Sequence, residues 1–472
     1  MSRKKSKYPQ IENLEITDIA AEGKSLGRVD DKILFVTNTV PGDIVNVQIN
    51  CSRRRFMEGY VTEYVKLSPM RAEPFCSHFG ECGGCKWQAL PYDKQLEFKQ
   101  SQVLDQLSRI GKVELPEIMP IVGSEKTTHY RNKLEYTFSN KRWIPRTEMA
   151  AKEGEEEIPH GDALGFHIPG MFDKIIDIDT CHLQAEPSNS IRLSLKKFSV
   201  DNNLEFYNLR SHEGLMRNVA IRTSSTGDVM VIVQFAKDEE KERIAVMEHL
   251  KNEFPEITSL CYIINTKLND SMGDQTVILY HGQLYMEEKM DDLTFRINPK
   301  SFYQTNSEQA HELYKITRDF ADLTGSEVVY DLYTGTGTIA NFVARQCAKV
   351  IGVEYVPEAI EDAKINSQVN GINNTVFFAG DMKDVLNDEF ILTHGKPDVI
   401  ILDPPRAGIH EDVAKVILNA EPKIIVYVSC NPATQARDLA IFDEKYRVTK
   451  VQPVDMFPHT HHVENVVQLV RR

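Results

Sequence analysis

Residues 424–432 read Ile-Ile-Val-Tyr-Val-Ser-Cys-Asn-Pro, and this stretch decides how the C-terminal third of the chain folds. The apolar run at its start predicts a buried strand. The Asn-Pro pair ends that strand, because proline has no N–H to donate to a sheet ladder. Cys430 is therefore predicted to lie at the carboxyl end of a strand, which is the edge of a parallel α/β sheet where ligands bind.

A second stretch, residues 399–406, has the same form: Val-Ile-Ile-Leu is followed by Asp-Pro-Pro-Arg. The two strand ends would bring a thiol, a carboxylate and a guanidinium to one crevice. Around them, from about residue 296 onward, strand and helix patterns alternate. This alternation predicts a parallel, Rossmann-like sheet with crossover helices.

A glycine turn in the same region predicts a ligand. The strand pattern at residues 328–332 runs into Gly335-x-Gly337 and then into a helix. Glycines let the backbone approach a ligand closely, and Glu354 ends the next strand, where a carboxylate can accept hydrogen bonds from both hydroxyls of a ribose. The third glycine of the dinucleotide fingerprint is missing. The pattern therefore favours S-adenosylmethionine over a dinucleotide, and a tight turn without a ligand is the alternative.

The N-terminal part of the chain has a different pattern. Short strand patterns and turns alternate over residues 9–67, which predicts a small OB-like barrel of the kind that often binds single-stranded nucleic acid. A barrel that only packs is the alternative. Residues 130–295 are mostly β in pattern, with one helix over 239–254. We therefore expect a multidomain α/β protein with a barrel over residues 1–70, a β-rich central domain over 71–295 and a Rossmann-like domain over 296–472.

Three cysteines lie unusually close together in the sequence. Cys76, Cys82 and Cys85 have the spacing C-x5-C-x2-C, with glycines that let the loop wrap tightly. A metal or cluster needs a fourth ligand, and Cys181 is the best candidate, because it also lies in a loop after an apolar run. Four thiolates suit zinc or a [4Fe–4S] cluster. A single triplet with a remote fourth cysteine is more typical of a cluster, and ordinary buried cysteines are the alternative.

The composition limits the classes of partner. A net charge of −14 over 472 residues argues against nucleic acid, but basic residues cluster at 3–7 and 53–55, and an acidic protein can carry a local basic groove. Residues 153–157 predict an acidic, solvated insertion. No apolar run is long enough for a transmembrane helix, and residues 1–7 are not followed by the apolar segment of a secretory signal. We therefore expect a cytoplasmic protein with no membrane partner.

The thiol beside Asp403-Pro404-Pro405-Arg406 points to methylation of carbon. Amino-directed methyltransferases often carry Asp-Pro-Pro-aromatic here and need no enzyme thiol, whereas C5 of a pyrimidine is a poor nucleophile. A thiolate that adds to C6 makes an enolate able to attack a methyl sulfonium, and a base must then remove the C5 proton. Glu464 is the best candidate base. The alternatives are a structural role for Cys430, a surface carboxylate at Glu464, and a metal site formed by Glu464 with the irregularly spaced histidines of 459–462.

Taken together, these motifs resemble a known family, the S-adenosylmethionine-dependent RNA uracil-5 methyltransferases. The N-terminal barrel resembles a TRAM domain. The resemblance is closest to the branch that acts on 23S ribosomal RNA, since the tRNA-directed branch is expected to lack the barrel and the cluster. The motifs that carry it are Phe302-Tyr303-Gln304-Thr305-Asn306, Asp331-Leu332-Tyr333-Thr334-Gly335-Thr336-Gly337, Leu402-Asp403-Pro404-Pro405-Arg406-Ala407-Gly408, Val428-Ser429-Cys430-Asn431-Pro432 and His462-Val463-Glu464.

The resemblance implies methyl transfer from S-adenosylmethionine to C5 of a specific uridine in 23S ribosomal RNA. It implies that Cys430 is the nucleophile and Glu464 the proton acceptor. The implied contacts to S-adenosylmethionine are Gln304, Tyr333, Glu354 and Asp403, and the implied ligands of a [4Fe–4S] cluster are Cys76, Cys82, Cys85 and Cys181.

The chemistry also constrains the nucleic acid. The target base must be flipped out of its stack, so a single-stranded or loop region of RNA is expected, and DNA is not. We expect a monomer. The alternative functions are a tRNA uridine-5 methyltransferase and a non-catalytic iron–sulfur RNA-binding protein.

Overall fold

The N-terminal strands close into a barrel. The structure is a computed structural model that describes residues 8–145, 148–149, 161–269 and 271–472; the acidic insertion at 153–157 and the basic cluster at 3–7 lie outside these ranges. The barrel order is β1-β2-β3-β5-β4. The strands are β1 (Gln10–Ile19), β2 (Ser25–Val29), β3 (Lys32–Val36), β4 (Ile44–Ser52) and β5 (Phe56–Lys66). Alternate apolar side chains fill the interior, among them Leu14, Leu34, Val45 and Val47, as expected where one strand face is buried. The predicted barrel is confirmed.

A long loop and one helix follow the barrel. The loop carries the three clustered cysteines and leads to α1 (Tyr92–Gln106), which begins directly after Pro91 and continues as a π turn over Leu107–Gly111. Lys99 lies on the buried face of this helix, and its ammonium is paired with Asp455 at 2.6 Å; neither side chain is exposed to solvent. The helix is therefore fixed to the C-terminal part of the chain by a buried ion pair.

The middle of the chain forms an eight-stranded mixed sheet with the order β13-β12-β11-β10-β6-β8-β9-β7. Its strands are β6 (Lys133–Ser139), β7 (Arg142–Trp143), β8 (Ala163–Ile168), β9 (Met171–Asp177), β10 (Met216–Thr223), β11 (Val229–Phe235), β12 (Ile257–Ile264) and β13 (Ile278–Gly282). Helices α2 (Ser188–Asp201) and α3 (Glu240–Glu253) pack beside it. We did not predict α2, although Ile191 and Leu195 have the four-residue spacing of a buried helix face.

The C-terminal sheet has seven strands in the order β18-β17-β16-β19-β20-β22-β21, preceded by a hairpin of β14 (Met286–Met290) and β15 (Leu293–Ile297). Its strands are β16 (Val328–Leu332), β17 (Lys349–Glu354), β18 (Thr375–Ala379), β19 (Val399–Leu402), β20 (Ile424–Ser429), β21 (Tyr446–Val454) and β22 (Glu464–Arg471). The first five are parallel, and β22 is antiparallel to both of its neighbours.

Helices connect these strands. They are α4 (Ser307–Ala321), α5 (Thr338–Ala344), α6 (Pro357–Val369), α7 (Met382–Val385), α8 (Asp388–His394), α9 (Glu411–Ala420) and α10 (Pro432–Phe442). The chain order of the strands reverses between β16 and β19. Ligands of open α/β sheets bind at such a switch point, outside the carboxyl ends of the strands. The Rossmann-like prediction is confirmed, and the switch point falls between the glycine turn and the Asp-Pro-Pro-Arg turn.

Candidate active site

Strand pairing brings the thiol and the carboxylate to the same edge of the sheet. β20 pairs with β22 through Ser429 and Asn465, and Cys430 and Glu464 are the next residues of the two strands along this antiparallel ladder. Both strands are almost wholly buried, so their register is fixed by burial. Cys430 is partly buried, and Glu464 is 6% exposed. The pairing register therefore places Cys430 and Glu464 opposite each other at one crevice, as predicted.

The Asp-Pro-Pro-Arg turn is held against the cysteine by hydrogen bonds. Asn431 caps α10, where its side-chain oxygen accepts from the Ala433 amide at 3.2 Å, and proline follows at the first helical position, as helices favour. The Asn431 side-chain amide also donates to the Arg406 carbonyl at 3.1 Å, and the Thr434 hydroxyl donates to the same oxygen at 3.1 Å. The residue after the thiol thus fixes the turn that carries Asp403.

The crevice carries a concentration of acidic groups. Burial, followed by the neighbouring Asp403, raises the pKa of Glu464 to about 8. Burial is the main cause that raises the pKa of Asp403 to about 7, and the charge of Asp331 adds to it. Burial likewise raises the pKa of Asp331 to about 7. The positive charge of Arg406 lowers the pKa of Glu464 and so partly offsets this rise. A cationic ligand such as a sulfonium would stabilise the charged forms of these three carboxyls, which burial disfavours.

The thiol is protonated in the free protein at neutral pH. Burial is the main cause that raises the pKa of Cys430 to about 11, and the charges of Glu464 and Asp403 add to it. The nearby Arg406 guanidinium lowers this pKa. Arg406 therefore favours the thiolate, whereas the two carboxylates oppose it.

The glycine turn presents its backbone to the switch point. Tyr333, Gly335 and Gly337 all have positive φ, at 67°, 55° and 73°. Glu354 accepts from the Gly335 amide at 3.1 Å with one carboxylate oxygen and from the Val356 amide at 3.0 Å with the other. Each oxygen keeps a lone pair for a further donor. The carboxylate is thus oriented beside the turn and can still accept two hydroxyl groups.

The loop that carries Gln304 is tied to the segment ahead of Glu464. Asn306 caps α4, and its side-chain amide donates to the Met456 carbonyl at 3.0 Å. The backbone carbonyl of Gln304 accepts from the side chain of Asn132 at 2.8 Å. These contacts connect the loop to both the central and the C-terminal sheet regions.

The four predicted cluster cysteines face one cavity. Cys76, Cys82, Cys85 and Cys181 all line a cavity of about 920 Å³ between the cysteine loop and β8–β9. Burial is the largest cause that raises the pKa of Cys82 to about 12 and of Cys85 to about 11. Within the described ranges, no group of three or more His, Cys, Asp or Glu side chains is placed to hold a metal ion. That finding also gives no support to a metal site at the histidines of 459–462.

Sequence reasoning missed the network that positions the segment ahead of Glu464. The His459 carbonyl accepts from the Lys86 and Trp87 amides at 2.9 and 3.0 Å. Gln95 accepts from the His459 amide at 2.8 Å, and the Lys99 ammonium donates to the Phe457 carbonyl at 3.1 Å. The one available signal is that Gln95, Lys99 and Val103 follow each other at four-residue intervals, which places them on one face of a helix.

Fold and crevice together define a class I methyltransferase fold with a cysteine and a glutamate at its ligand edge. Residues 218–472 match the tRNA (uracil-5-)-methyltransferase family, and residues 9–62 match the TRAM domain. An uncharacterized RNA methyltransferase of Porphyromonas gingivalis is 58% identical, covering 97% of this chain and 99% of the relative. One of Chlorobaculum tepidum is 39% identical, covering 97% and 95%. The chain belongs to the S-adenosylmethionine-dependent RNA uracil-5 methyltransferases.

A solved structure resembles the whole chain. It is Pyrococcus abyssi tRNA (uracil-54, C5)-methyltransferase in complex with S-adenosyl-L-homocysteine, with a TM-score of 0.74, 28% identity, and coverage of 98% of this chain and 100% of that one. Because the match covers 98% of this chain, it includes the barrel. A tRNA-directed enzyme therefore has a counterpart of the barrel, and the expectation that such enzymes lack it is wrong.

None of the helices in the described ranges combines the length and the hydrophobicity that a membrane span requires.

The electrostatics of the crevice predict how Cys430 reacts with iodoacetamide, which alkylates thiolates. Glu464, with a pKa of about 8, is ionised at about pH 9 and neutral at about pH 6.5, so it raises the pKa of Cys430 only in the alkaline range. Glu464→Gln should therefore speed alkylation roughly threefold at about pH 9, with no change at about pH 6.5. Peptide mass spectrometry measures the rate at Cys430.

Glu361→Gln is the matched control for this prediction, because it removes an exposed carboxylate on α6 that pairs with Lys364. It should leave the alkylation rate of Cys430 unchanged at both pH values. Equal rates for Glu464→Gln and the unaltered protein at alkaline pH would contradict the described coupling between the thiol and the carboxyl.

Proposed function

We propose that this enzyme methylates C5 of a uridine in 23S ribosomal RNA through a covalent adduct with Cys430. The observation that carries the proposal is the register of β20 and β22, which brings Cys430 and Glu464 to one ligand edge beside Asp403. S-adenosylmethionine supplies an electrophilic methyl group when bound. Carbon methylation of a pyrimidine needs a nucleophile and a base together, which this pair provides.

The Cys430 thiolate adds to C6 of the uracil, and the resulting enolate attacks the methyl carbon from C5, so that the bond from methyl to the donor sulfur breaks. Glu464, as a carboxylate, accepts the proton from C5. The C5–C6 double bond re-forms, the bond from Cys430 to C6 breaks, and the thiolate returns. A nearby cationic donor would favour the charged forms of both Glu464 and Cys430, which burial disfavours in the free protein.

We propose that the methyl donor occupies the switch point between β16 and β19. Four side chains would contact it: Gln304, Tyr333, Glu354 and Asp403. The orientation of Glu354 by two backbone amides supports a role in binding the ribose. The acidic character of the crevice supports a binding site for the sulfonium end of the donor near Asp403.

We propose that Cys76, Cys82, Cys85 and Cys181 hold a [4Fe–4S] cluster. The supporting observation is that all four thiols line one cavity and that burial raises the pKa of each, because a bound cation is what stabilises thiolates in such a place. A single zinc ion draws its four ligands to one point, whereas a cluster binds each thiolate at a different iron. The single C-x5-C-x2-C triplet with one remote cysteine is more typical of the cluster than of zinc.

The cluster would brace the loop that contacts the segment ahead of Glu464.

In the proposed division of the chain, residues 1–70 form the RNA-binding TRAM domain, 71–295 the central domain and 296–472 the methyltransferase domain. We propose a monomeric, cytoplasmic enzyme that acts on a single-stranded or loop region of RNA and on neither DNA nor membranes.

A second candidate substrate is tRNA. It is favoured by the full-length structural likeness to an enzyme whose substrate is uridine 54 of tRNA. Transcripts of 23S ribosomal RNA and of tRNA, offered separately with radiolabelled S-adenosylmethionine, distinguish the two. We expect label in the 23S transcript alone, as 5-methyluridine; label in tRNA alone would contradict the ribosomal proposal and leave the mechanism intact.

The proposed roles of the two catalytic residues predict different failures. Cys430→Ala should abolish methyl transfer, because C5 is then never activated. Glu464→Gln should transfer the methyl group once and then accumulate a protein–RNA adduct, because the C5 proton stays in place. Denaturing gel electrophoresis with labelled RNA measures the adduct. Methyl transfer by Cys430→Ala would overturn the thiol mechanism, and rapid turnover by Glu464→Gln would exclude Glu464 as the base.

The proposed cluster predicts the metal content of the protein. Protein purified without oxygen should contain iron and acid-labile sulfide in about equal amounts, near four of each per chain. Cys181→Ser should lose most of both, whereas Cys51→Ser, which alters a barrel cysteine outside the cavity, should keep them. Elemental analysis and visible absorption measure the outcome. Zinc in place of iron, or equal iron in both variants, would contradict the assignment.

A further inference from the structure

A second cavity lies beside the proposed active site and has no role in the mechanism above. It measures about 410 Å³, which is within the range of small-ligand sites. Three separate parts of the chain build it: the barrel turn at Glu22, the end of the cysteine loop at Gly83–Lys86, and two segments of the C-terminal region at Arg406 and Thr460–His462. We call it the cationic cleft, because Lys86 and Arg406 are the two charged side chains of positive sign that line it.

Neither cation of the cleft forms a close ion pair within the described ranges. In the described part of the chain, no carboxylate lies within 4.0 Å of the Lys86 ammonium or the Arg406 guanidinium. Lys86 instead donates to the backbone carbonyl of Glu22 at 3.1 Å, and Arg406 contacts Nδ1 of His462 at 2.7 Å. Glu22 lines the same opening and its charge acts on Lys86, but it forms no ion pair within 4.0 Å with either of these described cations. Both cations can therefore bind an external anion.

Two neutral imidazoles, of His461 and His462, also line the cleft, together with Glu22 and Thr460. Burial, followed by the neighbouring His462, lowers the pKa of His461 to about 3, and burial, followed by Arg406, lowers the pKa of His462 to about 4. Nδ1 of His461 is buried without a hydrogen-bond partner. A neutral imidazole can donate from one nitrogen and accept at the other. The imidazoles of the cleft therefore carry no positive charge at neutral pH, and Lys86 and Arg406 supply the positive charge of the cleft.

The barrel turn at Gly23 closes against two of the side chains that line the cleft. Gly23 of the barrel turn has a φ of 76°, and a Cβ atom built there would lie 3.1 Å from Cβ of His461 and 3.1 Å from Cδ of Lys86. The barrel turn therefore packs closely against both side chains. The backbone amides of Lys86 and Trp87 also donate to the His459 carbonyl. Lys86 is thereby fixed relative to the segment that leads to Glu464.

We propose that the cationic cleft binds a backbone phosphate of the substrate RNA, on a nucleotide next to the target uridine, and that Lys86 is its principal charged contact. The position of Arg406 supports this, because it lines the cleft and its backbone carbonyl accepts from the side chain of Asn431, the residue after Cys430, at 3.1 Å. A strand whose uridine reaches Cys430 must therefore pass the cleft within about one nucleotide. The inference rests on the proposed function, because it takes Cys430 as the site of the flipped base.

Salt dependence of RNA binding tests this proposal. The probe is a fluorescein-labelled oligouridylate of about ten nucleotides, a length that a small barrel and its neighbours cover. Anisotropy gives its affinity for the full-length protein over a range of KCl concentrations. Lys86→Met should weaken binding about fivefold at low salt and make the slope of log K against log[KCl] shallower by about 0.7, the value for one phosphate contact on a single strand.

Two matched variants accompany Lys86→Met. Lys86→Arg keeps the charge and should keep the slope of the unaltered protein. Lys241→Met removes the same charge from an exposed position on α3, which lines neither cavity, and should also keep the slope. Binding of S-adenosylmethionine, measured by calorimetry, should be equal in all four proteins.

Three results would overturn the proposal. The first is a slope for Lys86→Met equal to that for Lys241→Met. The second is no binding of oligouridylate by the unaltered protein, since a backbone contact needs no base sequence. The third is loss of S-adenosylmethionine binding by Lys86→Met, which would mark Lys86 as structural. Failure of the proposed function would instead appear as an absence of labelled methyl transfer by the unaltered protein, which these binding measurements do not involve.

Discussion

The antiparallel pairing of β20 with β22 is the constraint on which the rest of this structure depends. It joins a strand that ends at Ser429 to one that begins at Glu464, with Ser429 opposite Asn465. A shift of one residue would turn every buried apolar side chain of the strand to the opposite face, so the core fixes the register. The thiol and the carboxyl therefore meet at one edge as a consequence of hydrophobic burial, and no separate device is needed to bring them together.

The N-terminal half of the chain supports this edge from behind. The segment that leads into Glu464 has no regular structure between Val454 and Glu464, and its position is set by a helix and a loop more than 350 residues earlier. The Lys99–Asp455 pair is wholly buried, and Gln95 and the cysteine loop hold His459. Breaking a buried pair by removing one partner is strongly destabilising. The cysteine loop and the proposed catalytic base thus belong to one hydrogen-bonded unit.

Strands whose limits are set by neighbouring residues were predictable from the sequence. The runs at 399–402 and 424–428 are apolar and bounded by proline, and both form buried strands that end where expected. Long-range contacts were not predictable from the sequence: the partners of Gln95 and Lys99 lie 356 to 364 residues away. The cationic cleft is built from three distant parts of the chain, so no local pattern could indicate it. The presence of the barrel does not distinguish tRNA-directed enzymes of this family from those that act on ribosomal RNA, because a shared fold does not specify the substrate.

The most direct test of the central claim is the mass of a trapped intermediate. RNA that carries 5-fluorouridine at the target position has no C5 proton to lose, so the adduct cannot resolve once the methyl group has been transferred. After proteolysis and nuclease digestion, mass spectrometry should find a methylated 5-fluorouridine attached to the peptide that contains Cys430. An adduct on any other residue, or methyl transfer without any adduct, would contradict the account.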